Sequence, residues 1–158
     1  MGYMIEKKGD LSFARICDCV LRCRECDGSG SVLSKNEKAY IYISNCKVCG
    51  VRRRNVKLYN LAGVPAKYST VLQVDTFRPK AKNESQQYAL SYAKDFVKKY
   101  PNKKGFLFMG KAGLGKTHLA IGAISELTLE KGIRCVFKDF FHLLSELKEA
   151  YSQGTPEN

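Results

Sequence analysis

The 158-residue sequence has no apolar run long enough to cross a membrane and few acidic side chains. Its apolar runs are short, as at residues 106–109, whereas a bilayer-spanning helix needs roughly 20 apolar residues. The N-terminal segment also has no apolar core of signal-peptide length. We therefore expect no membrane association and no secretion, and we expect the protein to be cytoplasmic.

Acidic residues number only 15, against 27 Lys and Arg, which gives a formal net charge of +12. The hydrophobic fraction of 44% is that of a globular protein rather than a disordered tail. The basic excess predicts contact with nucleic-acid phosphates, and we expect single-stranded DNA as a partner. The candidate side chains for binding phosphates and stacking on bases are Tyr40, Tyr42, Lys47, Arg52, Arg53, Arg54 and Lys57. The alternative is a solvated basic face with no ligand.

Cysteine is abundant, with seven residues in a chain that shows no export signal. In a reducing compartment, thiols bind metals, carry out redox chemistry or pack in a core, and they seldom form disulfides. Cys23-x-x-Cys26 and Cys46-x-x-Cys49 are separated by 19 residues, a spacing typical of a four-cysteine zinc ribbon. A predicted strand at residues 39–44 lies between the two pairs, as in a ribbon hairpin. The sequence therefore predicts a Zn²⁺ site.

Cys17 and Cys19 lie outside this spacing and have three interpretations. They are free thiols, alternative ligands, or part of a second site, and we take free thiols as the default. A redox role for the C-x-x-C pairs is disfavoured because neither pair opens a helix after a strand. The first sixteen residues carry no strong pattern.

The second half of the chain contains a complete G-x-x-x-x-G-K-T motif. Its glycines allow successive backbone N–H groups to converge on a phosphate, and the following helix directs its dipole at the same anion. The lysine supplies a charge for the terminal phosphates and the threonine a hydroxyl for Mg²⁺. The predicted cofactors are therefore ATP and Mg²⁺. The predicted binding residues are Gly110, Lys111, Ala112, Gly113, Leu114, Gly115, Lys116 and Thr117.

The elements around this motif alternate between helix and strand. Asn83 and Gln86 resemble a capping box before a helix that ends ahead of Pro101. Predicted strands at residues 105–109 and 133–138 flank a helix at 117–131, and a further helix follows Asp139. This order predicts an α/β fold with a parallel sheet.

Catalytic residues for hydrolysis are not assignable. A P-loop ATPase also needs an acidic residue at the end of a second buried strand. Asp139 follows the 133–138 segment, but Arg134 and Lys138 interrupt that segment and Asp139 fits better as a helix cap. We expect His118, one turn into the helix, to pack or cap rather than to act as a base.

These motifs together resemble the helicase-loader and IstB-like branch of the AAA+ ATPases, of the DnaC and DnaI type. The resemblance runs from about residue 20 to the end. It is carried by Cys23-x-x-Cys26-x-Gly28, Cys46-x-x-Cys49, Gly63-Val64-Pro65-x-x-Tyr68, the P-loop with Gly115-Lys116-Thr117-His118-Leu119-Ala120, and the tail at residues 136–151.

The resemblance implies a protein that uses ATP to place a ring-shaped replicative helicase on DNA. It implies a zinc-ribbon-like module at 1–55 that contacts the helicase and a connector at 56–82, of which residues 63–68 lie near the adenine. The N-terminal part of a P-loop AAA+ ATPase domain follows at 83–158. Homo-oligomers are possible through a complete AAA+ domain. The family's acidic strand, sensors and arginine finger belong downstream of residue 158, so we expect ATP binding without independent hydrolysis. The alternatives are a transposition helper ATPase of the IstB type and a zinc-dependent adaptor with a vestigial P-loop.

Overall fold

The computed structural model of the protein describes residues 2–153, so the last five residues of the predicted ATPase domain lie outside it. The strands in this range are β1 (Tyr3–Lys8), β2 (Leu11–Ile16), β3 (Ser31–Lys35) and β4 (Ile41–Asn45). The helices are α1 (Asp18–Leu21), α2 (Gly50–Leu61), α3 (Glu84–Lys98), α4 (Lys116–Leu129) and α5 (Phe140–Gln153), with 3₁₀ turns at Ala66–Tyr68 and Val74–Thr76.

An N-terminal hairpin forms where the sequence carries no strong pattern. Strands β1 and β2 pair antiparallel, with Tyr3 opposite Ile16, and turn at Gly9, whose φ is +59°. The hairpin is held by α2, because the Asn60 side chain accepts a 2.7 Å hydrogen bond from Ala14 N and donates to Ala14 O at 3.0 Å. The tertiary contact with α2, rather than local periodicity, therefore explains this element.

The hairpin between the two cysteine pairs is confirmed. Strands β3 and β4 pair antiparallel, with Leu33 opposite Ile43, and α2 begins at Gly50 immediately after the second pair. At the start of the molecule, the buried Gly2 lies against the side chains of Val20 and Arg52. The cysteine region and the chain's N-terminus thus meet at the first turn of α2.

Helices α2 and α4 share the main core with β2 and the connector. Tyr59 is fully buried, and its hydroxyl lies 2.7 Å from Ser12 Oγ. Asn55 donates a 2.9 Å hydrogen bond to the carbonyl of Leu129 in α4, which joins the two helices directly. The core residues of this cluster are Ala14, Val56, Tyr59, Ala62, Val64, Val71, Ile121 and Leu129.

Helix α3 packs on α4 through a second apolar cluster and confirms its predicted start. Asn83 Oδ1 accepts a 3.0 Å hydrogen bond from Gln86 N, as the capping pattern predicts. The Gln86 side chain accepts from Lys80 N and donates to Leu114 O at 3.2 Å, so it also fastens α3 to the P-loop. The buried residues of the cluster are Val74, Phe77, Ala93, Val97, Leu119, Ala123 and Leu127.

The predicted parallel sheet is not present among residues 2–153, where the sheets are two small antiparallel pairs. Residues 105–109 and 133–138 lack the hydrogen bonding of a strand. Phe108 packs into the α3–α4 cluster, while the side chains of Leu107 and Met109 are 80% and 83% exposed. A parallel strand needs neighbouring strands for its backbone groups and for covering both faces, and a local apolar run does not supply them.

The predicted division of the chain stays a prediction. Helix α2 runs continuously across residue 55, where the predicted zinc-ribbon-like module ends. None of the helices in residues 2–153 has both the length and the apolar content of a bilayer-spanning segment.

Candidate metal and nucleotide sites

The four predicted cysteine ligands meet in one buried cluster. Their sulfur atoms all lie within 4.8 Å of one another. The Sγ atoms of Cys23 and Cys46 are 3.8 Å apart, and those of Cys26 and Cys49 are 3.5 Å apart. The first pair follows α1, and the second joins β4 to α2. The expectation that neither pair opens a helix after a strand is therefore wrong for Cys46 and Cys49, because β4 ends at Asn45 and α2 begins at Gly50. The fold therefore brings together two C-x-x-C pairs that are separated by 19 residues in the sequence.

The cluster fits the chemistry of zinc. A tetrahedral Zn²⁺ with Zn–S bonds of about 2.3 Å requires sulfur–sulfur distances of about 3.8 Å, close to those observed. All four thiols are buried, and thiolates are the soft ligands that Zn²⁺ accepts. The four-cysteine cluster is therefore compatible with a structural zinc ion.

The first cysteine pair is shaped by a close backbone approach at Gly28. Its φ is +75°, and a Cβ atom there would lie 2.2 Å from the carbonyl oxygen of Leu21. Gly28 N donates to Cys23 O at 3.2 Å, and two residues later Gly30 N donates to Cys26 Sγ at 3.2 Å. A side chain at residue 28 would disrupt the loop that orients both sulfurs.

The thiols of this cluster differ in their acidity. Burial raises the pKa of Cys23 to about 11. Burial also acts on Cys26, but the hydrogen bond from Gly30 N and the neighbouring thiols outweigh it and lower its pKa to about 7. Donation from a backbone N–H favours the thiolate, which is the form that binds metal.

Cys17 and Cys19 are free thiols outside the four-cysteine cluster. Cys19 is exposed, and Cys17 precedes the first residue of α1. The hydrogen bond between them lowers the pKa of Cys17 and raises that of Cys19. The free-thiol interpretation of Cys17 and Cys19 stays a prediction.

The P-loop adopts the backbone that its glycines permit. Gly110, Gly113 and Gly115 all have positive φ, at +139°, +78° and +90°. Helix α4 begins at Lys116 directly after Gly115, so its N-terminal dipole end lies at the loop. The Lys116 ammonium donates to the carbonyls of Gly110 and Lys111 at 2.9 and 2.8 Å. The loop therefore carries the features that bind a phosphate chain.

Phe77 of the connector and His118 of α4 pack together beside this loop. The Phe77 ring lies so close to Gly115 that a Cβ there would be 2.2 Å from a ring carbon. His118 Nε2 is 3.0 Å from Thr76 Oγ1, and the His118 and Phe77 rings are 5.5 Å apart. Burial lowers the pKa of His118. His118 thus packs against the connector, as the sequence analysis predicts.

A cavity of about 940 Å³ adjoins the start of α4. It is lined by Lys116 and Thr117 together with Gly63, Pro65 and Tyr68 of the connector and Phe137. Pockets for small molecules commonly span about 300 to 1,000 Å³. The structure therefore brings the connector and two P-loop residues to one cavity whose volume lies in the range of small-molecule pockets.

The three consecutive arginines lie against three different neighbours. Arg52 lies against Gly2, Arg53 against Gly30, and Arg54 against Gly132. Successive residues of a helix point about 100° apart, so α2 distributes these side chains to three different neighbours. A run of three arginines in the sequence therefore does not show that their side chains share one surface.

Comparison with known proteins identifies relatives for most of the chain. The family model of the IstB-like ATP binding protein matches residues 29–158. YqaM of Bacillus subtilis, an uncharacterized protein, is 24% identical over 111 residues, covering 68% of this chain and 35% of YqaM. The replicative helicase loader DnaC of Escherichia coli K12 is 36% identical over 76 residues, covering 47% of this chain and 31% of DnaC.

The chain thus spans about a third of the length of these relatives. No solved structure matches it. The family match extends over the β3–β4 hairpin, the connector and the P-loop, and the similarity to DnaC agrees with the resemblance found in the motifs. This chain belongs to the IstB-like ATP-binding protein family.

Proposed function

We propose that the protein binds Mg·ATP through residues 110–117 and acts as a helicase-loader-type protein in DNA replication. The observation that carries this proposal is the P-loop geometry. Three glycines with positive φ precede a 14-residue helix, and Lys116 and Thr117 line a cavity of about 940 Å³. In this arrangement Lys116 contacts the terminal phosphates, and Thr117 supplies an oxygen ligand for Mg²⁺.

ATP binding is tested by thermal unfolding of the metal-loaded protein. Mg·ATP at 100 times its Kd stabilises a protein by about 2.7 kcal/mol, so the melting temperature rises. Lys116→Ala removes this shift, whereas Lys148→Ala, an exposed lysine of α5, keeps it. If the folded wild-type protein shows no shift with ATP, the zinc-dependent adaptor becomes the better proposal.

The proposed partner is a replicative helicase, with the zinc-ribbon-like module as the contact. The proposal is supported by the sequence similarity to DnaC, a replicative helicase loader. It is also supported by the buried cysteine cluster, which is separate from the P-loop region. A pull-down from cytoplasmic extract is expected to recover the helicase. Recovery of a transposase without helicase would favour the second candidate, a transposition helper ATPase, which the IstB family match supports.

Single-stranded DNA binding and self-association remain parts of the same proposal. The support for DNA is the net charge of +12, and contacts to phosphates make affinity fall steeply with salt. Binding that is unchanged between roughly 50 and 200 mM salt would contradict it. Association of several copies would be measured by sedimentation with and without Mg·ATP.

The finer fold assignment, a parallel P-loop sheet, is also a proposal. Phe106 and Phe108 are partly buried while Leu107 and Met109 are exposed, which is the alternation of a strand with one free face. Phe137 N donates to Ala62 O at 2.7 Å, so the second segment is already fixed beside the connector. A parallel sheet requires a neighbouring strand beside each of these two segments.

A further inference from the structure

Arg53 differs from its two arginine neighbours in being partly buried against the cysteine cluster. Its Nη2 atom donates a 2.6 Å hydrogen bond to the carbonyl oxygen of Gly28, in the loop of the first cysteine pair. Its Cδ atom occupies the space that a side chain at Gly30 would need, at 2.7 Å from a Cβ there. Since Arg53 itself lies on α2, one turn after Cys49, its side chain bridges the two cysteine pairs.

The guanidinium also brings a positive charge to the sulfurs. Arg53 Nε is buried and has no hydrogen-bond partner within residues 2–153. The bond from Nη2 to Gly28 O places the guanidinium at the loop in which Gly30 N donates to Cys26 Sγ. A buried guanidinium N–H without a partner is unfavourable unless negative charge is close to it. Four thiolates around Zn²⁺ carry a net charge of about −2 and would supply that negative charge.

We propose that Arg53 is a positioning residue of the cysteine centre. Its guanidinium holds the loop of the first pair against the helix that carries the second, and it offsets the charge of the metal-bound thiolates. The inference rests on the proposed binding of zinc by Cys23, Cys26, Cys46 and Cys49. Groups that act on the ligands in this way change metal affinity typically by 10- to 100-fold.

The test compares metal affinity in charge-removing and charge-retaining variants. Arg53→Met keeps an apolar stem of similar reach, and Arg53→Lys keeps the charge, whereas Arg52→Met removes a neighbouring arginine that lies against Gly2 instead. Zinc affinity is measured by competition with a chromophoric chelator. Co²⁺ substitution reports the four-thiolate geometry through its absorption bands, and circular dichroism reports the helices.

We expect Arg53→Met to lose about 10- to 100-fold in zinc affinity, with Arg53→Lys recovering most of the loss and Arg52→Met within twofold of wild type. The Co²⁺ bands of Arg53→Met should shift while those of Arg52→Met do not. An affinity for Arg53→Met within twofold of wild type overturns the proposal, as do equal losses in the Met and Lys variants, which would indicate packing alone. If the wild-type protein takes up neither Zn²⁺ nor Co²⁺, both the proposed metal site and the proposed role of Arg53 are wrong. The ATP-dependent thermal shift tests the proposed nucleotide site separately.

Discussion

The second cysteine pair and the P-loop each lead directly into a helix, α2 and α4 respectively, but the two sites are completed in different ways. The four thiols are buried against one another, and all come from the short stretch between Cys23 and Cys49. The cavity at the start of α4 has walls from the connector, from α4 and from Phe137, and the segment before the P-loop leaves Leu107 and Met109 exposed.

The difference follows from the kind of group that binds. Thiols on two hairpin-linked turns converge once the β3–β4 hairpin has formed, so the site depends on local structure. A phosphate loop presents backbone N–H groups, and it is held in place by whatever packs around the strand and helix on either side. A side-chain site can thus be complete within 27 residues, whereas a backbone site depends on distant parts of the chain.

The largest effect is expected from removing the metal. Zinc binding to small zinc domains contributes roughly 10–16 kcal/mol of apparent free energy, much of it as folding energy. Chelation, or Cys46→Ser, should therefore abolish amide protection in β3 and β4 while α4 keeps its protection, as followed by hydrogen exchange. Cys19→Ser is the control and should retain about one zinc per chain. Equal loss of protection in α4 would show that the two regions fold as one unit.

A smaller loss of stability is expected when the hydrogen bond between α2 and α4 is removed. Asn55 is buried in α2 and donates to the Leu129 carbonyl in α4, so Asn55→Ala leaves that acceptor unsatisfied. The loss should be about 1–3 kcal/mol in the free energy of unfolding, measured by urea denaturation. Lys57→Ala, an exposed change on the same helix, should cost little. If Asn55→Ala matches Lys57→Ala, the helices are held by apolar packing alone.

The smallest expected effect is a change in thermal stability at mildly acidic pH, caused by His118 beside the P-loop. Burial lowers the pKa of His118, so the folded state prefers the neutral ring and the unfolded state takes up the proton first. Stability from this group is full above the usual histidine pKa of about 6.5 and falls as the pH drops below it. His118→Gln should flatten the fall in melting temperature between pH 7.5 and 5.5. A variant whose pH profile parallels that of wild type would show that His118 does not contribute.

Much of this arrangement could be predicted from the sequence where the signal is local. The spacing of the two cysteine pairs predicted the cluster, and the Asn83 cap predicted the start of α3. The β1–β2 hairpin was not predictable, because Asn60 and Tyr59 hold it from more than forty residues away. The environment of Arg53 likewise depends on the rotation of α2 relative to the glycines of the first cysteine loop, which the run of three arginines does not reveal.

The parallel sheet was predicted from two apolar runs that do have the alternation of strands. Sheet formation depends on neighbours, and residues 2–153 supply none beside residues 105–109. The Gln86 side chain is a second case in which a local sequence pattern does not specify the tertiary contacts. Its backbone N–H completes the predicted cap, but its amide reaches Lys80 and Leu114, which the capping pattern does not specify.

The position of Gly2 has a practical consequence for handling the protein. This residue is buried against Val20 and Arg52, and its carbonyl accepts a 3.0 Å hydrogen bond from Cys17 N. A purification tag or fluorescent label joined ahead of this residue would therefore follow a position packed against α1 and the first turn of α2. A polyhistidine tag there would offer imidazoles to the same metal that the thiols bind, so metal stoichiometry should be measured after such a tag has been cleaved.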